Sequence, residues 1–383
     1  MKNNENNFTG YIEGYYGKLL SWENRKLIIK SLKKNKMNTY FYAPKEDVSH
    51  RLCWRKKYSK KWRINFRKFI QFSKSNNIKV IVGIAPGLDF NFKELNHFHK
   101  KTKQTDFQIL LKKAKQLLED GASSIALMLD DIPNDFKKKF GTDVSEATYH
   151  AILVNKLSSK LGQSIFFVPR IYADELINED PFYLRDLRQT LNPNIKVFYC
   201  GKNVVARTYK NFAKTKKVLS NDIIIWDNFY ANDYCPRRLF IGPTLGRENL
   251  KNVLINPTGL IKTDLLILDI FGKNLITKIS KNEWENIINK HGIPKPFLKI
   301  KKYFLKPDFG LNPAIQSIKK NKDDIEVLDF LLWKWKSELS REWYPFLFGL
   351  KHDLQINQKI LTSERIVKSQ TIPLADFLKK GEI

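Results

Sequence analysis

Cysteine, methionine and histidine are scarce in this 383-residue chain: three, three and six respectively. Cys53, Cys200 and Cys235 are odd in number and widely spaced, so they make neither a disulfide framework nor a CxxC metal motif. No apolar run approaches the roughly 18 residues of a membrane-spanning helix. The first ten residues, MKNNENNFTG, lack the apolar segment of a secretory signal. These absences lead to the expectation of a soluble protein of a reducing compartment, the cytoplasm, with no membrane partner. What is plentiful is apolar and aromatic content, 42% and 13%. That is enough for a sizeable core and excludes wholesale disorder.

Acidic residues are also in the minority. Against 68 Lys+Arg stand 39 Asp+Glu, a formal net charge of +29. One reading is a polyanionic partner such as nucleic acid, an acidic polysaccharide or a membrane surface. The other is composition, since an AT-rich genome raises Lys, Asn and Ile together. The basic residues are 54 Lys and only 14 Arg, and they are scattered apart from short clusters such as Lys137-Lys138-Lys139. Phosphate and base recognition favours the planar fork of Arg. The charge therefore reads as a solvated lysine coat, and a nucleic-acid partner is not expected.

Short apolar, β-branched or aromatic runs alternate with segments whose apolar residues fall three and four apart. The strand-like runs are Gly10–Tyr16, Asn38–Ala43, Lys79–Ile84, Ser124–Leu129, Ser164–Val168, Lys196–Tyr199, Ile223–Asn228 and Asn252–Ile255. Between them lie helical patterns such as Asn24–Lys36, Asp106–Glu119 and Glu146–Leu161. Strict alternation implies parallel strands joined by crossovers. Eight units over about 280 residues suit an α/β fold of the (β/α)8 TIM-barrel type. A doubly wound sheet fits less well, because Glu13-Gly14-Tyr15-Tyr16-Gly17 after the first strand is not a GxGxxG phosphate loop.

After about residue 295 the alternation stops, with Pro294, Pro296, Pro307 and Pro313 punctuating the chain. Ile325–Trp335 reads as a helix with Leu328, Leu331, Leu332 and Trp335 on one face, and Ser340–Leu350 is dense in aromatics that suit packing. The expected organisation is a catalytic barrel over 1–299 and a C-terminal helical extension over 300–383.

A barrel of this type carries its active site where the strands end. Those ends hold Glu13 and Gly14, Lys45 and Asp47, Asp89, Asp130-Asp131, Tyr172 and Asp174, then Asp227, Asn228 and Asp233, and finally Asn256. Asp130-Asp131 stand out, closing the apolar strand Ile125–Leu129. If the strand ends at Asp130, the next residue can turn so that both side chains reach the mouth. Two close carboxylates repel, so one tends to hold a proton, and an acid beside an anion is what glycosidic cleavage needs. A helix cap or lysine pair is the plain alternative, and a divalent cation held with Asp89 and Asp227 is a third. Trp226-Asp227-Asn228 through Asp233-Tyr234 mixes amides, carboxylates and flat rings, as sugar sites do. A polar loop would look the same.

Together these motifs resemble glycoside hydrolase family 84, the β-N-acetylglucosaminidases. The resemblance rests on Gly10–Gly17, Asn38–Lys45, Pro86–Asp89, Leu129–Ile132, Trp226–Asn228, Ala231–Tyr234, Arg237–Pro243 and Asn256-Pro257. It implies removal of terminal β-linked N-acetylglucosamine from a glycan or glycoconjugate, by substrate-assisted catalysis without a metal or organic cofactor. The acetamido oxygen attacks the anomeric carbon and forms an oxazoline. By position, Asp130 would orient the acetamido N–H and Asp131 would be the general acid/base. Gly14, Lys45, Asp233 and Asn256 would contact sugar hydroxyls, and Tyr172 would donate near the acetamido oxygen. Trp226, Asp227 and Asn228 belong to the same sugar-binding segment. Tyr199-Cys200-Gly201 and Arg170-Ile171 depart from the family pattern. Two other expectations stand beside this one: cleavage of an acidic polymer such as hyaluronan, and a sugar- or nucleic-acid-binding barrel without hydrolysis.

Overall fold

The computed structural model describes residues 7–357 apart from 18, 96–103, 142–143, 210–218, 220, 236 and 308–321. The last part of the expected extension, beyond 357, lies outside the described residues. The chain forms two compact units, one from Met1–Tyr234 with Pro243–Ser280 and one from Cys235–Gly242 with Lys281–Ile383. The expected division after residue 299 falls inside the second.

In the first unit the eight strands pair in chain order, each parallel to the next, and the last closes on the first. They are β1 (Phe8–Glu13), β2 (Thr39–Tyr42), β3 (Lys79–Ile84), β4 (Ser124–Met128), β5 (Phe166–Val168), β6 (Lys196–Tyr199), β7 (Ile223–Asp227) and β8 (Asn252–Ile255). The fold is the expected (β/α)8 barrel. Helices between the strands include α1 (Trp22–Lys34), α2 (Lys60–Ser75), α3 (Asp106–Glu119), α4 (Phe136–Phe140), α5 (Glu146–Leu161) and α6 (Tyr183–Thr190), and α7 (Ile261–Ile276) follows β8.

Helix starts follow from hydroxyl caps. Ser21, Ser59, Thr105 and Ser145 each accept a hydrogen bond from the backbone N–H three residues on, and Thr105 with Gln108 completes a capping box. The Ser21 cap is why α1 begins at Trp22, two residues before the periodicity suggests. β1 likewise ends at Glu13, which frees Gly14–Gly17 to form a loop at the mouth.

Large rings fill the barrel interior. Phe41 stacks on Phe198 at 4.9 Å, Phe166 lies 5.8 Å from Phe198, and Trp226 meets Phe41 edge-on at 5.8 Å. Small residues make room for them and for the neighbouring strand. A Cβ on Gly10 would lie 1.7 Å from the Thr39 carbonyl oxygen, so β1 and β2 can pair only around a glycine.

The second unit contains α8 (Lys281–Lys290), α9 (Phe297–Ile300), α10 (Lys322–Trp333) and α11 (Glu338–Asn357). Leu328, Leu331, Leu332 and Trp335 are buried, and Trp343 packs against Phe297, Phe304 and Trp335. The aromatic density of this unit is therefore packing. Among the described residues no helix is long and apolar enough to cross a membrane.

Candidate active site

The mouth is organised by one backbone turn. The last ladder bond of β4 runs from Leu129 N to Val168 O, 2.9 Å, and the chain then inverts, with Asp131 at φ +52°. Along a strand, successive side chains point to opposite faces. The left-handed residue cancels that alternation and brings both carboxylates to one place. A non-glycine residue held there costs on the order of 1–3 kcal/mol, a strain that recurs at functional sites.

Around the turn a tight cluster forms. Lys45 Nζ donates to Asp130 Oδ2 and lies 3.5 Å from Asp131 Oδ2. The Tyr172 hydroxyl donates to Asp131 Oδ1 at 2.9 Å, and the Tyr16 hydroxyl to Asp131 Oδ2 at 2.9 Å. Asp130 is 5% exposed, and its Oδ1 is a buried oxygen with no hydrogen-bond partner among the described residues. Lys45 and Tyr172 thus reach the carboxylates themselves, where the sequence suggested sugar hydroxyls and the acetamido oxygen.

These neighbours offset the repulsion expected between the two carboxylates. Burial pushes Asp131 up, but Lys45, the Tyr172 and Tyr16 hydroxyls and Arg51 outweigh it and hold Asp131 below the ordinary carboxylate value. The two phenols move the other way. Burial and the Asp131 charge push Tyr172 and Tyr16 well above the usual tyrosine value, so both remain donors.

A second chain of contacts runs beside the first. Gly14 N donates to Asn256 Oδ1 at 3.2 Å, Asn256 Nδ2 to Asn228 Oδ1 at 3.0 Å, and Trp226 Nε1 to the same oxygen at 2.9 Å. Asn228 Nδ2 reaches Val204 O at 3.0 Å and Cys200 Sγ at 3.6 Å. Asn228 is thereby committed to orienting its neighbours. A Cβ on Gly14 would sit 2.6 Å from the Trp226 ring, so this glycine lets the indole cross the mouth. Tyr16 N donates to Asp233 Oδ2 at 3.0 Å, and the Tyr16 residue thus joins Asp233 to Asp131.

Asp227 is not part of this group. It is fully buried, and Arg247 binds both of its oxygens at 2.9 and 3.0 Å, with Phe229 N adding a third bond. It anchors β7 from behind and offers nothing to a sugar. Asp89 is likewise taken by Arg55 and by Trp54 Nε1, so it and Asp227 do not join Asp130-Asp131 as cation ligands. Among the described residues no group of three or more His, Cys, Asp or Glu is arranged to hold a metal.

Two residues of the cluster escaped the sequence reading, Tyr16 and Arg51. Tyr16 lies within the Gly10–Gly17 motif but looks like the end of a strand. Arg51 lies six positions after Lys45 in the same loop, and only that proximity hints at it.

A parallel barrel whose mouth carries an adjacent carboxylate pair, a buried lysine and amide groups has the design of a glycoside hydrolase. The family model for beta-N-acetylglucosaminidase (NAGidase) matches residues 9–261. The chain belongs to this family, glycoside hydrolase family 84. It is 32% identical over 265 residues to Protein O-GlcNAcase of Rattus norvegicus, and equally to that of Mus musculus. The match takes in 65% of this chain and 28% of each relative, so the chain spans little more than a quarter of their length. The fold also matches a solved O-GlcNAc hydrolase mutant of Thermobaculum terrenum with a TM-score of 0.73. That match is at 23% identity over 90% of this chain and 81% of that one.

Proposed function

We propose that this chain hydrolyses terminal β-linked N-acetylglucosamine with retention, by substrate-assisted catalysis. The observation that carries the reading is Asp130. One of its oxygens is held by Lys45, and the other is buried beside the second carboxylate without a donor among the described residues. A buried acceptor of that kind is costly unless a ligand donor satisfies it. The acetamido N–H of the sugar is such a donor. Held there, its carbonyl oxygen attacks C1 while Asp131 gives a proton to the leaving oxygen. Asp131 then takes a proton from water, which opens the oxazoline at C1. Such substrate-assisted enzymes are an exception to the usual pair of separated carboxylates.

Asp131 must carry a proton for the first step, yet its surroundings favour the anion. The Tyr16 hydroxyl stands on the exposed side of the cluster, and a glycosidic oxygen would replace it, removing one donor and desolvating the acid. The names of the relatives, Protein O-GlcNAcase and O-GlcNAc hydrolase, favour O-linked N-acetylglucosamine on a polypeptide as substrate over an acidic polymer.

The test compares a chromogenic N-acetyl-β-glucosaminide with its N-acetylgalactosamine and glucose counterparts. Rapid release from the first alone is expected, with loss in Asp130→Asn. Comparable turnover of the glucoside, which has no acetamido group, overturns substrate assistance.

A further inference from the structure

The carbonyls of Asp130 and Asp131 lie beyond the last β4–β5 ladder bond, so sheet pairing does not satisfy them. One side chain does. Arg51 Nη1 donates to Asp130 O at 3.2 Å and Nη2 to Asp131 O at 2.6 Å. Arg51 is 7% exposed, and both of its hydrogen bonds go to these carbonyls rather than to a carboxylate. The planar fork presents two N–H groups in fixed geometry to two successive carbonyls, whereas a lysine would offer rotatable donors from one point.

The loop that carries Arg51 is itself held on both sides. Lys113 Nζ, from α3, donates to Ser49 O, Trp54 O and Lys56 O at 2.5, 2.7 and 2.8 Å. His50 Nδ1 lies 2.9 Å from Gly83 O, and Ala85 N donates to His50 O at 3.0 Å. Arg51 therefore starts from a fixed backbone and ends on the one residue of the site with a left-handed φ.

We propose that Arg51 is a positioning residue that clamps the Asp130-Asp131 turn and so aims the Asp131 carboxyl at the leaving oxygen. This rests on the hydrolase reading above. Released from the clamp, Asp131 would relax from φ +52° towards ordinary backbone and swing away from Asp130. Misplacement of a reacting group by about 1 Å costs on the order of 10²-fold in rate. The loss should fall on proton donation, because Asp130 keeps its own bond to Lys45.

The test uses aryl N-acetyl-β-glucosaminides whose leaving phenols span a range of acidity. Wild type, Arg51→Lys, Arg51→Ala and Arg51→Ala with millimolar guanidinium are compared. Arg51→Ala should lose about 10²-fold in kcat on the least acidic phenol and far less on the most acidic. Guanidinium should restore the loss, and Arg51→Lys should fall between. A purely structural arginine would give equal losses across the phenols, and that result overturns the proposal. So does the absence of guanidinium rescue. If Arg51→Ala is recovered unfolded, Arg51→Lys decides alone, and a wild-type dependence on the phenol sinks the clamp. A wild type that turns over none of the series overturns the hydrolase reading, and the clamp with it, whereas turnover unaffected by Arg51 overturns the clamp alone.

Discussion

At the scale of single residues, the carboxylates divide by what already holds them. Glu13 is bound by Arg25 and Tyr40, Asp47 by Tyr42, Asp174 by Tyr199, and Asp227 by Arg247. The sequence shows each at a strand end but not its partner, which for Glu13, Asp174 and Asp227 lies far along the chain or on another element, so Asp227 reads the same as Asp130. Asp130-Asp131 were legible because two adjacent carboxylates after an apolar strand are hard to explain as braces. Asp131→Asn should remove most hydrolysis of glycosides with poor leaving groups and spare more of the rate on activated aryl glycosides. Equal loss on both, in steady-state assays, counts against Asp131 as the acid. The direction of its pKa makes a second prediction. Donors that favour the anion keep the free acid protonated only at low pH, so kcat/KM, which follows the free protein, should fall early as pH rises. The corresponding limb of kcat should lie at higher pH, and Tyr16→Phe should move the kcat/KM limb upward. Superimposed profiles for kcat and kcat/KM would remove Tyr16 from this role.

At the scale of elements, the strands and their order could be read from periodicity, because each strand is an apolar run between capped amphipathic helices. Their ends could not. β1 stops at Glu13, although Tyr15 and Tyr16 continue the pattern, because the Glu13 carboxylate is drawn into Arg25 and Tyr40. The Asp227–Arg247 pair joins β7 to the chain just before β8 in the same hidden way. Removing one partner of such a fully buried pair leaves the other charge uncompensated, at a cost of about 3–5 kcal/mol. Asp227→Ala should therefore lower the urea midpoint strongly, while the fraction that stays folded keeps its affinity for N-acetylglucosamine. Loss of that affinity at unchanged stability would return Asp227 to the sugar-binding set.

At the scale of the whole molecule, the eightfold alternation announced the barrel. The make-up of the second unit was illegible, because Cys235–Gly242 belong with residues after Lys281, far away in sequence. The net charge of +29 has no counterpart in the chemistry of the mouth, and reads as a lysine coat. Two buried histidines bear on acid stability. Burial pushes His50 and His150 down to about 3, helped by Lys45 and Arg170 respectively. Between about pH 6.5 and 3 the unfolded chain binds both protons and the folded chain neither, so stability falls as pH falls. Each histidine contributes about 1.4 kcal/mol per pH unit over that window. Urea unfolding measured across it should lose one proton of slope in His150→Gln, and an unchanged slope would refute the assignment. The inverted turn at Asp131 has a consequence of another kind. Because the two acids are neighbours on the chain, one peptide fixes the distance between their Cα atoms, and while the turn holds, their spacing does not depend on how far β4 stands from any other strand. Warming, or a mutation that lets the barrel breathe, carries both acids together as one piece. The grip on the sugar then loosens well before the two acids lose step with each other.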